Sequence, residues 1–472
     1  MISRRRFLQS SVSLALVPLL PRVALSATLS IRPSWEVFRL SPSFVSFTTA
    51  VKTMKAYINT ADPNSWAYWV NVHGQLCPHG KAYFLAWHRG FLYNFENQLR
   101  LVSGDPTLVL PYWNYYDNPA LPYEFLDPTS PLYRGDRKGT NVGSGLTLDA
   151  FSDTLTAFQR GKPNAFEPVV EPRPHNNVHN LIGGAMSSIA ISPRDPIFWV
   201  HHANIDRLWV AWLAAGDGRS QPPINNSYWS GSFQYGSAIA SMRRTWTAST
   251  STYLGYQYDN QTLPTSLPPS GYLTRTTSSS LAGAIPVRPA SVQSAPLGVA
   301  RPLVLDERSV SVDVPLTAQD TDRVRSAMLK TDSATAAQEG GPVRVVLDDV
   351  RLTGLGEKGG YFYNVYVNLP GPGGAGNPAQ AYLLGSVGAF EIGVARMKAS
   401  MAGGSMPGMD MHAAHGSGAR LVFPVTDALR RIWPTRLDRL VISFVRVDGS
   451  RQPTRGQTIR IGAFSVEADP SI

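Results

Sequence analysis

The chain has 472 residues, 43% of them apolar and 16% charged, with a formal net charge of +10. That length and composition predict a globular protein with a large core and more than one domain, and because Arg4, Arg5, Arg6 and Arg22 supply four of the positive charges and no basic block stands elsewhere, nucleic-acid binding is not expected. The single cysteine, Cys77, excludes an intrachain disulfide, and no segment reaches about 18 uninterrupted apolar residues, so no membrane span is expected.

At the N-terminus, Ser3-Arg4-Arg5-Arg6-Phe7-Leu8-Gln9 precedes a weakly apolar run from Ser10 to Leu20, and small residues follow at Ala24, Ser26 and Ala27. This pattern predicts a twin-arginine export signal over residues 1–27 and a mature protein that is periplasmic or secreted.

Three histidines come next, at His73, His79 and His88. From Phe84 to Leu101 the residues Phe84, Leu85, Trp87, His88, Phe91, Leu92, Phe95 and Leu99 recur at three- and four-residue steps, which predicts an amphipathic helix with His88 on or beside its apolar face. Pro172 and Pro174 suit the first turn of a helix and not its interior, so a helix is predicted to start there and to project His175 and His179 from one face. After the turn Ser192-Pro193-Arg194-Asp195-Pro196, the run from Ile197 through His201 and His202 to Trp209 predicts a third buried helix. These segments predict a mainly α domain, a helical bundle with ligands in its interior, over residues 28–260.

Residues 261–300 are rich in Ser, Thr and Pro and read as a linker. Beyond it, Val343-Arg344-Val345-Val346-Leu347, Tyr361 to Val367 and Leu440 to Val445 are β-branched or aromatic, which predicts an all-β, sandwich-like domain over residues 301–472. Within it, Met397, Met401, Met406, Met409, Met411, His412 and His415 read first as a flexible Gly/Ala/Met loop, with a stretch of Cu(I)-type donors that gathers copper as the alternative.

Seven of the nine histidines thus fall in two sets before residue 203. Each set is surrounded by Trp, Phe and Leu, where an unpaired imidazole is costly to bury. A bound ion resolves that cost. With one cysteine and no acidic residue at a ligand-like spacing, zinc-thiolate and His/carboxylate iron sites are disfavoured, and pure imidazole ligation favours two copper ions. Read from its residue type alone, Cys77 is a small buried hydrophobe.

His73 and Cys77-Pro78-His79 with Phe84-Leu85-Ala86-Trp87-His88-Arg89 resemble the copper A signature of the tyrosinase family of type 3 copper proteins. His175-Asn176-Asn177-Val178-His179 with Asp195 to Trp209 resemble its copper B signature, and Pro111-Tyr112-Trp113, Arg32 and Tyr256-Gln257-Tyr258 resemble further family marks. The resemblance implies that His73, His79 and His88 hold one copper and that His175, His179 and His202 hold the other, with His201 behind them in support. It also implies a thioether between Cys77 and His79. It implies oxidation of o-diphenols to o-quinones by dioxygen, with hydroxylation of monophenols as the favoured further activity. Catechol oxidase activity alone, or dioxygen carriage as in molluscan hemocyanin, are the alternatives. For the monophenol step, Asn176 fills the family's Asn position, and Glu167, eight residues before His175, is preferred over Glu171, four before it, as the partner that orients a water. Ile189, thirteen before His202, stands at the family's gate position over copper B and is smaller than a phenylalanine. Val345 to Asn368, Gly388-Ala389-Phe390-Glu391-Ile392 and Leu421 to Val447 resemble the C-terminal domain that covers the site in latent plant polyphenol oxidases, without indicating which side chain would enter the pocket.

Overall fold

Four of the described helices carry most of the first half; the first buries a single apolar stripe and the last is buried on nearly every side. In the computed structural model, which describes residues 29–268, 293–294, 296–329, 342–370, 379–402, 418–450 and 453–469, these are α1 (Ser43–Ala56), α2 (Trp66–Leu76), α3 (Phe84–Ser103) and, later, α5 (Ile197–Ala214). The export signal, most of the linker, and His412 with His415 lie outside the described residues. Helix α2 begins where the Ser65 side chain accepts from the Ala67 amide at 3.1 Å. Helix α3 buries all eight residues of the predicted apolar stripe and ends at Gly104, whose φ of 71° a side chain would strain. At the start of α5 the Asp195 carboxylate accepts from the Ile197 amide at 3.0 Å and is itself held by Arg137.

The helix expected from Pro172 begins later. Residues Glu171–Asn176 form an irregular turn with Arg173 extended (φ −146°, ψ 119°), and the regular helix α4 covers Asn177–Ile182. Pro172 and Pro174 remove amide donors that a regular helix would need, so His175 sits in the turn and His179 in the helix.

A polar buckle closes this half. Strand β1 (Ser30–Arg32) pairs in parallel with β2 (Tyr256–Tyr258). Buried Arg32 bonds Glu96 of α3 at 2.8 Å and lies 3.6 Å over the Tyr256 ring. Both tyrosine hydroxyls donate to Asp206 of α5, at 2.7 and 2.6 Å, and Arg89 of α3 donates to its other oxygen at 2.6 Å. Asp206 thus ties β2 to α3 and α5 close behind two candidate ligands, through Arg89 after His88 and through its own place after His202.

The second half is two sheets around their own core of Val, Leu, Ile, Tyr and Phe. One sheet runs β8 (Leu383–Gly388), β7 (Tyr361–Val367), β10 (Arg439–Asp448), β5 (Val310–Pro315), β3 (Gln293–Ser294), and the other β9 (Ala419–Pro424), β6 (Val343–Leu352), β11 (Ile459–Ala468), β4 (Arg301–Leu305). Three helices accompany them, α6 (Ala318–Leu329), α7 (Ala389–Ala402) and α8 (Thr426–Ile432), which the β-branched strand signal did not place.

The halves meet along a seam of backbone. The Gly360 amide donates to the Asn180 carbonyl at 2.8 Å, Gly449 to Gly360 at 3.0 Å, and Thr140 to Gly449 at 3.2 Å. A Cβ on Gly183 (φ 69°) would lie 2.6 Å from the Gly360 nitrogen, whereas one on Gly216 (φ 67°) would meet nothing within 4 Å. Gly216→Ala therefore costs the left-handed backbone penalty, about 1 kcal/mol, and Gly183→Ala costs that plus separation of the seam, roughly 3 kcal/mol or more in denaturant unfolding of the full chain. Equal losses would contradict the tight seam.

Candidate metal centre

The six ligand-bearing segments converge in the bundle interior. His73 comes from the last turn of α2, His79 from the loop that follows, His88 from the second turn of α3, His175 from the proline turn, His179 from α4, and His201 and His202 from α5. All seven are buried, and they form two groups of possible ligands: His73, His79 and His88, and His175, His179, His201 and His202.

Within the first group His73 Nε2 lies 3.4 Å from Nε2 of both His79 and His88. Within the second, His202 Nε2 lies 3.3 Å from Nε2 of both His175 and His179. A tetrahedral ion with metal–imidazole arms of about 2.0–2.1 Å separates its ligand atoms by about 3.3–3.4 Å, so both trios have the spacing of one ion's donors. The trios face each other, with the His88 and His202 rings stacked at 4.6 Å and the His79 and His175 rings at 5.4 Å.

Main-chain carbonyls fix which nitrogen is offered. Nδ1 of His73 donates to Ile189 O at 2.9 Å, that of His88 to Phe84 O at 2.7 Å, and that of His179 to Met186 O at 2.8 Å. His175 Nδ1 donates to Asn176 Oδ1 at 2.7 Å. With Nδ1 carrying the proton, the Nε2 lone pair points into the cavity. Burial, then the neighbouring imidazoles, holds His73, His88, His179 and His202 far below the ordinary imidazole range, and His175 down at about 3. Neutral rings are the ligand form.

His201 differs from His202. Its ring lies parallel to that of His175 at 5.3 Å, and neither of its nitrogens finds a well-aligned hydrogen-bond partner among the described residues. Phe198 packs on His202 at 4.0 Å and edge-on to His73 at 4.9 Å, and Phe84 contacts His79, His88 and His175, so apolar walls enclose both groups.

Cys77 caps α2 and is buried with its sulfur beside the His79 amide; burial pushes its thiol well up, so a free Cys77 would be an inert thiol. Glu167 is buried and accepts from the Leu85 and Arg160 amides at 3.2 and 3.1 Å, and burial raises its carboxyl to about 7. None of its described hydrogen bonds reaches Asn176. Glu171 accepts from the Gly80 amide at 2.5 Å, pairs with Arg160, and lies 3.4 Å from His79 Nδ1. Burial pushes Glu171 up, but the His79 contact and the Arg160 charge outweigh that and keep it below the usual carboxylate range. Ile189, expected over the second group, is tied through its carbonyl to His73 of the first, and its side chain reaches Gly393 of α7.

Residues of the β half complete the cavity. Phe390, in the first turn of α7, stacks on His179 at 4.2 Å and meets His79 and His175 edge-on at 5.3 and 5.5 Å. Glu391 accepts from Asn180 Nδ2 at 2.7 Å and lies beside Asn176. Val394 and Met397, further along α7, pack against the helical core. Neither Phe390 nor Glu391 is marked in the sequence, because a phenylalanine in Gly-Ala-Phe-Glu-Ile has the same appearance as a core residue of its own domain.

Residues 50–145 and 140–215 match the family model described as the common central domain of tyrosinase. Tyrosinase HcTyr1 of Hahella sp. is 31% identical over a match that covers 40% of this chain and 55% of that protein. The (+)-larreatricin hydroxylase of Larrea tridentata is 27% identical, covering 39% of this chain and 41% of its own. The chain thus spans roughly half the length of these curated relatives. Latent apple tyrosinase shares the fold, with a TM-score of 0.53 at 21% identity over 93% of this chain and 97% of that one. The geometry predicts that His202→Ala lowers bound copper from two ions per chain to one while His201→Ala keeps two, by metal analysis of folded protein. The reverse pattern would assign the ligand role to His201.

Proposed function

Because the chain belongs to the tyrosinase family, whose central domain it carries over residues 50–215, we propose that it is a phenol oxidase that hydroxylates monophenols and oxidises o-diphenols to o-quinones. The single observation that carries this reading is the pair of facing trios, His73, His79 and His88 against His175, His179 and His202, each with the donor spacing of one ion. When bound, the copper pair supplies the exchange of electrons between phenol and dioxygen; two o-diphenols give two o-quinones while one dioxygen becomes two waters.

The chain's own residues do the rest. The main-chain carbonyls of Ile189, Phe84 and Met186 hold three rings in register, and Phe84 and Phe198 exclude water that would attack reactive products. A phenol, with a pKa near 10, must lose its proton to react. Glu167, held at about 7 by burial, is suited to accept it at neutral pH, with Asn176 orienting the intervening water once Glu391 has left. The branched Ile189 leaves room for a monophenol at the gate. The relative from Larrea tridentata bears the name of a hydroxylase, which agrees with the monophenol step. Glu167→Gln should lower monophenol kcat/KM by about 100-fold and o-diphenol kcat/KM by much less. Equal losses would remove Glu167 from the proton step.

The Cys77–His79 thioether belongs to this proposal. The sulfur lies beside the His79 amide, and the bond would lock that imidazole, whose Nδ1 lacks a well-aligned partner. A peptide spanning both residues should be lighter by two hydrogens. A Cys77 that alkylates in the unfolded holoprotein would contradict the bond.

Export by the twin-arginine route and the division into a 28–260 catalytic domain and a 301–472 shielding domain are part of the same reading. Among the described residues no helix is long and apolar enough to cross a membrane. The shielding domain makes the enzyme latent, because the Phe390 ring lies against imidazoles of both trios where a substrate ring would have to approach. Turnover of tyrosine, 4-hydroxybenzoate and catechol by the full chain, before and after limited proteolysis, tests it. Quinone should form from all three after cleavage and slowly or not at all before. Quinone from catechol alone would indicate a catechol oxidase, and reversible dioxygen uptake without quinone a carrier.

A further inference from the structure

Asn180 follows the candidate ligand His179 and is fully buried, yet its amide serves the other half of the molecule. Its Oδ1 accepts from the Phe390 main-chain amide at 2.9 Å, and its Nδ2 donates to Glu391 Oε2 at 2.7 Å. The approach is so close that a Cβ on Gly388 would lie 2.7 Å from Cγ, Nδ2 and Oδ1 of Asn180 at once. One side chain therefore holds the β8-to-α7 turn at three successive points: a glycine that lies flat on it, the amide of the plugging residue, and the carboxylate beside the plug. The Asn180 carbonyl is used separately, by Gly360 of the seam.

We propose that Asn180 is the latch that keeps Phe390 over the metal centre, a positioning residue for the plug and not for the ligands; the inference rests on the latency reading above. The Phe390 ring makes non-directional contacts with imidazoles and could leave by a small movement of its turn. The two amide bonds are directional and buried, and breaking them without a replacement leaves a donor and an acceptor unpaired in an apolar setting. The seam at Gly360 and Gly449 holds the domain as a whole and does not involve Phe390. Hence the latch can open while the domain stays docked, and the enzyme can be switched on without cleavage.

The test uses the copper-loaded full chain, intact and after limited proteolysis, with catechol turnover and copper content measured for wild type, Asn180→Leu, Gly388→Ala and Glu391→Gln. Intact Asn180→Leu and Gly388→Ala should turn over at least about tenfold faster than intact wild type. Glu391→Gln, whose amide oxygen still accepts from Asn180, should stay as latent as wild type. After proteolysis all should agree within about twofold, with equal copper. If both variants remain as latent as wild type while proteolysis activates every form, the latch is rejected and latency stands. If proteolysis leaves wild type unchanged, latency fails and the latch with it. Should Asn180→Leu lose copper, Gly388→Ala decides, because it alters no residue of the helical half: fast intact turnover supports the latch and latent behaviour overturns it.

Discussion

Seven imidazoles buried in one helical core are the constraint on which the rest of this structure depends. An imidazole without partners is expensive there, and the protein meets that cost in two ways. Main-chain carbonyls of Ile189, Phe84 and Met186 take the Nδ1 protons of His73, His88 and His179, and the Nε2 atoms are gathered in trios at the spacing of a shared ion. The carbonyl of Ile189 can serve His73 because Ile189 lies between two short 3-10 helices, Gly184–Ser187 and Ser192–Arg194, and belongs to neither, so that carbonyl has no intrahelical donor. Burial holds His73, His88, His175, His179, His201 and His202 below the ordinary imidazole range, and neutral imidazole is the form that binds a soft or borderline metal.

The same helix that carries His179 also carries the junction with the β half. Asn180 bonds Phe390, Glu391 and Gly360, and Gly183 at the end of α4 lies against Gly360. Covering the centre and supporting its second trio are thus functions of one surface. The cover is held by these directional bonds and the backbone seam together with apolar contact, since Phe362, Phe390 and Val447 are buried in the helical core and Val394 and Met397 pack against it.

Much of the helical half was legible in the sequence. The stripe from Phe84 to Leu99 has the period of a helix and is buried as expected, and the two sets of histidines seen in the sequence are the two groups that the structure gathers, with His201 included in the second. The proline turn was not legible as such: Pro172 and Pro174 suit a helix start, and only the extended Arg173 shows that His175 leaves the helix. Phe390 and Glu391 were hidden because their role depends on a contact between halves about 210 residues apart, which no local period records. Ile189 was placed by its distance from His202, yet its backbone serves the opposite trio. The helices α6 to α8 escaped because the strand signal around them is stronger than their own short apolar stripes.

The central claim is that two trios hold two copper ions close enough to act as one unit. Electron paramagnetic resonance of the oxidised, copper-loaded full chain, with metal analysis of the same sample, tests it most directly. Two Cu(II) ions per chain should give almost no signal, because adjacent spins pair, and His202→Ala should uncover the signal of the remaining ion. Two ions per chain with the full signal of isolated Cu(II), or one ion per chain in the wild type, would contradict the account.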